Sequence, residues 1–334
     1  MNVVSSWAAE PAVEAPPAAP PAEEALTVAP DVLALVDEFA KSNGIVPETV
    51  GTGGFRALLL GTPSTPDLEK FVLMGCDTLA RLEVWTGKPK VFVPATGSTQ
   101  ALRYMVLIKD DGVFNAWVDF GRSKGAIRPA EESGDLAKKL KGFAMPGAMI
   151  STVDRLAHIG SQFAVYAAAC VSLDQIAAAH GQRRLPAWLR EGLSSELQRA
   201  IAGSTRCTTI SYQASDAKES NTDNWMADVK IILRDTKPGG RAMSAEQVVG
   251  SGTDMISGSM YRQMWSVCTF LRVMSDGKTK AKSKNGNPLW SVIQSVAKDG
   301  NSMPAITAAY GITAAELDAA WRSWANTAKA PDTK

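Results

Sequence analysis

The residues with the clearest chemical potential are His158, Gln162 and Glu191. The first two lie in "RLAHIGSQFAVYAAA", residues 155–169, and the third in "LPAWLREGLSSEL", 185–197. On a helix, residues four apart share a face, so His158 and Gln162 are expected to point the same way. Two imidazoles at that spacing, with Glu directly after the first, hold zinc and supply a general base for its bound water. A carboxylate from a following helix gives the third protein ligand and leaves one position open. Here Gln162 stands where the second imidazole would be, and Ile159 where the base would be. Ile has no proton to exchange, and Gln is a neutral donor that zinc accepts poorly. Losing a general base costs ~10²–10⁴ in rate, and losing the metal removes the nucleophile itself. The chain has only one other histidine, His180 in "AAAHGQRR", whose setting reads as a loop.

Two helices must position these groups. The first is expected over 152–169, opened by Ser151 and Asp154 at capping-box spacing. The second is expected over 186–202, starting at Pro186 and stopping at Gly203. On it Trp188, Glu191, Gly192 and Ser195 share a face, and a carboxylate flanked by small residues has room to meet another helix closely. A His158–Glu191 contact across the pair would keep such an architecture without its metal. The alternative is a metal held by His158 and Glu191 with His180 or Glu196.

Upstream, a helix over 31–43 starts at Asp31 and stops at Gly44, with Val32, Leu35, Val36 and Phe39 on one face. "FRALLL", 55–60, reads as a strand. A long helix follows, capped by Thr65 with Pro66 at its first position. "KVFVPA", 90–95, reads as a strand, "STQALRYMVLI", 98–108, as a helix entered through Ser98, and "VFNAWVDF", 113–120, as a strand. "GFAMPGAMI", 142–150, is a weaker strand interrupted by Pro146. Downstream, "TTISYQ", 208–213, reads as a short strand, and most of 214–256 shows no clear pattern. Helices are expected at 257–274, at "PLWSVIQSVAKDG", and at "TAAELDAAWRSWANTA", where Thr313 and Glu316 form a capping box and Ile312 and Leu317 a hydrophobic staple.

The 334 residues are 45% hydrophobic and 21% charged, with net charge +1. That balance asks for no nucleic acid or anionic membrane as main partner. No apolar run approaches the ~20 residues of a membrane span. The lysine-rich "GKTKAKSKNGN", 277–287, lacks aromatic residues for base stacking and reads as a solvated loop. Cys76, Cys170, Cys207 and Cys268 show no Cys-x-x-Cys spacing and read as buried thiols, with a Cys170–Cys207 pair as the oxidised alternative. "GTGGF" at 51–55 is too poor in ordered glycines for a phosphate loop, and no Gly-x-Ser-x-Gly elbow occurs. Residues 1–30 include an Ala/Pro/Glu-rich stretch that reads as a disordered tether. "MNVVSSWAAEPA" looks like the end of an export signal.

In the order of these motifs the chain resembles the thermolysin-like, or gluzincin, metallopeptidases, and most of all an uncharacterised bacterial peptidase-like family whose members often follow an export signal. The resemblance runs over roughly 55–328. It rests on "FRALLLGTPSTPDLEKFVLMGCDTLARLEVWTGKPKVFVPA", on "LPAWLREGL", on Tyr261, Trp265, Phe270 and Leu271 in "MYRQMWSVCTFLRVM", and on "ITAAYGITAAELDAAWRSWA". Met264 stands where that family usually has Ser. The resemblance puts His158 on the first zinc ligand and Glu191 on the third, as vestigial metal positions, with Gln162 and Ile159 as the departures. It implies one continuous α+β domain: a sheet-containing part over 31–150, then a helical part over 151–330. It further implies a non-catalytic binding or scaffolding protein of the bacterial envelope, acting on an unknown protein or peptide partner. No cofactor is then expected; zinc belongs to the alternative, a hydrolase with an altered site.

Overall fold

A computed structural model describes residues 31–88, 91–92, 102–126, 138, 141–145, 147–153, 156–182, 184–206, 225–237, 239–251, 257–276 and 286–328, without the side chains of 156–158. The expected tether at 1–30, the strand at 208–213, Cys207 and most of 90–95 and 277–287 lie outside these residues.

Five strands form one sheet: β1 (Pro47–Val50), β2 (Phe55–Leu60), β3 (Arg103–Ile108), β4 (Gly142–Met145) and β5 (Ala148–Thr152), in the order β1-β2-β3-β5-β4. The three central strands run parallel, and β1 and β4 are antiparallel edges. Both faces of the sheet are covered. Leu58, Leu60, Val106, Ile108 and Ile150 face α1 (Val32–Ser42) and α3 (Asp111–Ser123). Ala57, Leu59, Met105, Leu107 and Met149 face the larger core. That core is built on α2 (Pro66–Thr86) and α4 (Leu156–Ala179). The helical half continues with α5 (Ala187–Ala202), α6 (Trp225–Arg234), α7 (Ala245–Val249), α8 (Gly258–Asp276), α9 (Pro288–Asp299), α10 (Ser302–Tyr310) and α11 (Ala314–Thr327). The class is α+β: a small mixed sheet carrying helices, followed by a mainly helical half. Within it α5 lies between α4 and α8.

Local signals placed most helices. The Asp31 carboxylate accepts from Leu33 N, and Thr65 Oγ1 accepts from Leu68 N. Gly87, Gly203 and Gly300 end α2, α5 and α9 in the left-handed conformation that glycine adopts without strain. Thr313 and Glu316 close their capping box on α11.

Four expectations require correction. The helix expected over 98–108 is replaced at 103–108 by the central strand β3, and 98–101 lie outside the described residues. Its run is buried on both faces, so it lacks the alternation that marks a one-sided strand. The segment 113–120 is helical, within α3. The Asp110 carboxylate accepts from Val113 N, and Phe114, Trp117, Val118 and Gly121 form the buried stripe at helical spacing. The segment 142–150 is two antiparallel strands, β4 and β5, with Gly147 in the connection at φ +80°. Ser151 does not cap the first site helix, because it lies in β5; Asp154 is outside the described residues, and α4 runs from Leu156 to Ala179. Three helices had no expected counterpart: α6 and α7 within 214–256, and α10. One helix among the described residues, Ile159–Ala179, is long and apolar enough to cross a membrane by length and composition, and 72% of its apolar window is buried inside the protein.

Candidate functional site

The segment that carries Glu191 is the most enclosed helix of the structure. From Ala187 to Arg199 every residue of α5 is buried, although four of them are charged. Removing a charge from water costs several kcal/mol unless it is paired and hydrogen-bonded. Each charge on α5 is accordingly engaged. Arg190 Nε donates to both oxygens of Asp174 on α4, at 3.0 and 3.1 Å. Arg190 Nη1 donates to Glu191 Oε1 at 2.6 Å. The Tyr166 hydroxyl, also from α4, lies 3.0 and 3.1 Å from the two Glu191 oxygens and donates to that carboxylate. The Cys170 thiol meets the Ser194 hydroxyl at 3.2 Å. On the other side of α5, Glu196 accepts from Trp265 Nε1, Thr269 Oγ1 and Arg272 Nη2, all on α8. Arg199 lies over the Trp265 ring.

The electrostatics follow from this enclosure. Burial opposes the charge on Arg190, but Asp174 first, and then Cys170, Tyr166 and Glu191, outweigh it and hold the guanidinium protonated well above its ordinary value. Burial pushes the Tyr166 hydroxyl far up, with Cys170 and Glu191 adding to it. The Cys170 thiol rises to about 12, chiefly through burial. None of these groups is a nucleophile or a general base near neutral pH.

The expected site residues are distributed differently. Ile159 has φ −136° and ψ 16°, which is not helical, and it packs against the core. This break lies between His158 and Gln162, so the rule that places residues four apart on one face does not connect them. Regular helix resumes at Gly160, which lies against the Phe71 ring of α2 where a Cβ would overlap it. Gln162 is buried, accepts from the Ser161 hydroxyl and donates to Ser204 Oγ beyond the end of α5. The Cys170–Ser194 and Asp174–Arg190 contacts set an antiparallel register for α4 and α5. Within that register Gln162 lies toward the C-terminal end of α5, where it meets Ser204, while Glu191 meets Tyr166 and Arg190. The expected convergence of Gln162 and Glu191 is therefore not present, and Tyr166, one turn on, meets the carboxylate instead. The alternative ligands are also apart. His180 is exposed in the turn after α4, and Glu196 is engaged on α8. The small residues beside Glu191 do allow close packing, but toward α8: a Cβ on Gly192 would overlap Cys268 Sγ.

Zinc is the group implied by the resemblance. Among the described residues no cluster of three His, Cys, Asp or Glu is placed to hold a metal. Glu191 is occupied by a guanidinium and a phenol, and Gln162 by two hydroxyls. These donors do not fit zinc. A surface cleft of about 320 Å³ lies elsewhere, between Pro186, Val249, Gly300 and Ser302, and is lined by neither Gln162 nor Tyr166 nor Glu191. Compared with known proteins, the chain matches no family model, no curated protein and no solved structure.

Reading the sequence for a metal missed Tyr166, Asp174 and Arg190. A signal was present: Gln162, Tyr166, Cys170 and Asp174 recur every four residues on an otherwise apolar helix, which marks one polar stripe facing a neighbour.

A titration result follows. Cys76, Cys170 and Cys268 are free thiols, so Cys170 is not disulfide-bonded. Cys170 and Cys268 are buried with raised pKa, while the unfolded chain ionises near the ordinary value of 9.0. Above that value the unfolded state binds fewer protons than the native one, so stability falls as pH rises from about 9 toward 12. Urea midpoints are expected to be level at neutral pH and to decline in this alkaline window. Iodoacetamide at mildly alkaline pH should leave both thiols unmodified until denaturant is added; rapid native labelling of Cys170 would contradict the packing.

Proposed function

We propose that the chain is a non-catalytic relative of the thermolysin-like zinc peptidases, acting as a binding or scaffolding module for a protein or peptide partner in the bacterial envelope. The observation that supports this most directly is the engagement of Glu191. The carboxylate that would face a metal is buried against Arg190 and Tyr166, so a side-chain cation supplies the positive charge a metal would bring. With Ile159 in the place of the base and Gln162 bound to Ser161 and Ser204, the arrangement supports packing of two helices rather than activation of water. The resemblance over 55–328 and the Ala/Pro-rich N-terminal segment support the peptidase-like origin and the envelope setting.

The test is elemental analysis of the purified full-length protein after dialysis against a weak chelator. Zinc is expected far below one per chain. Stoichiometric zinc that disappears in His158→Ala would overturn this reading in favour of a hydrolase using His158 and Glu191. The double variant Ile159→Glu with Gln162→His restores the sequence motif but leaves Gln162's position far from Glu191. It is expected to fold and to take up no more zinc than the parent. One zinc per chain in that variant, lost again on Glu191→Gln, would show that the two positions do converge.

A further inference from the structure

We draw no further inference here: the strongest candidate, the surface cleft of about 320 Å³ between Pro186, Val249, Gly300 and Ser302, where α5 and α10 begin without side-chain caps, carries nothing because its buried Ser302 hydroxyl is already engaged by the Trp188 indole and nothing in the structure shows what fills it.

Discussion

Arg190→Leu is expected to lower the unfolding free energy by roughly 3–5 kcal/mol, a large fraction of the ~5–15 kcal/mol that stabilises an ordinary domain. The guanidinium is the cation shared by two carboxylates, Asp174 and Glu191, and it also lies over the Tyr166 ring. Its removal leaves both carboxylates in a water-poor space without the cation they share. The leucine fills much of the volume, so the loss reflects uncompensated charge rather than a cavity. Arg190→Lys should recover part of it, because an ammonium restores the charge but cannot fork to Asp174 and Glu191 at once. Arg190→Leu combined with Asp174→Asn and Glu191→Gln should be more stable than Arg190→Leu alone, since the amides carry no charge to desolvate. The folded-state pKa of Arg190 is raised well above the ordinary arginine value, so its contribution is complete below that ordinary value and does not vary over the working pH range. Urea unfolding of the four proteins measures all of this. A change of less than about 0.5 kcal/mol for Arg190→Leu would place the residue with ordinary surface positions and remove the basis for reading Glu191 as engaged.

The second large effect is expected at Gly192. A methyl group there would overlap Cys268 Sγ and come within 2.8 Å of Met264 O on α8. The thiol has some freedom, but the carbonyl belongs to a helix backbone, so α5 and α8 must separate. Gly to Ala inside a helix ordinarily gains ~1 kcal/mol in propensity. At this position overpacking of ~1–3 kcal/mol outweighs that gain. Gly192→Val should cost roughly 3 kcal/mol or more, by forcing a branched side chain into the same contact. The paired helices also carry the Glu196 contacts to Trp265, Thr269 and Arg272, so the tryptophan fluorescence of the native state should shift along with the melting temperature. A Gly192→Ala protein more stable than the parent would show that α5 and α8 are farther apart than the structure places them.

What was legible in the sequence is what local chemistry determines. Asp31, Thr65 with Pro66, and Thr313 with Glu316 start helices through hydrogen bonds that span two or three residues. Gly87, Gly203 and Gly300 stop them for an equally local reason, the left-handed backbone. The α+β class followed from those elements and from "FRALLL". Strand β3 was not legible, because its identity comes from pairing with β2 and β5, and its burial on both faces removes the alternation a reader relies on. Helix α3 was misread because "VFNAWVDF" alternates like a strand, and its cap at Asp110 stands before the apolar run.

The candidate site divides along the same line. The sequence by itself determined that a complete His-Glu-x-x-His motif is missing, since Ile159 and Gln162 are what they are, and that Glu191 shares a helix face with Trp188, Gly192 and Ser195. It could not say what Glu191 faces. That choice depends on the antiparallel register of α4 and α5, on the break at Ile159 and on the close approach of α5 to α8 at Gly192. Each is a relation between segments far apart along the chain, set by the packing of whole helices and not by any hydrogen bond a short stretch can make for itself. Only the tertiary structure brought Tyr166, Asp174 and Arg190 around Glu191, because a buried carboxylate takes the partners that packing presents to it rather than those its own motif suggests.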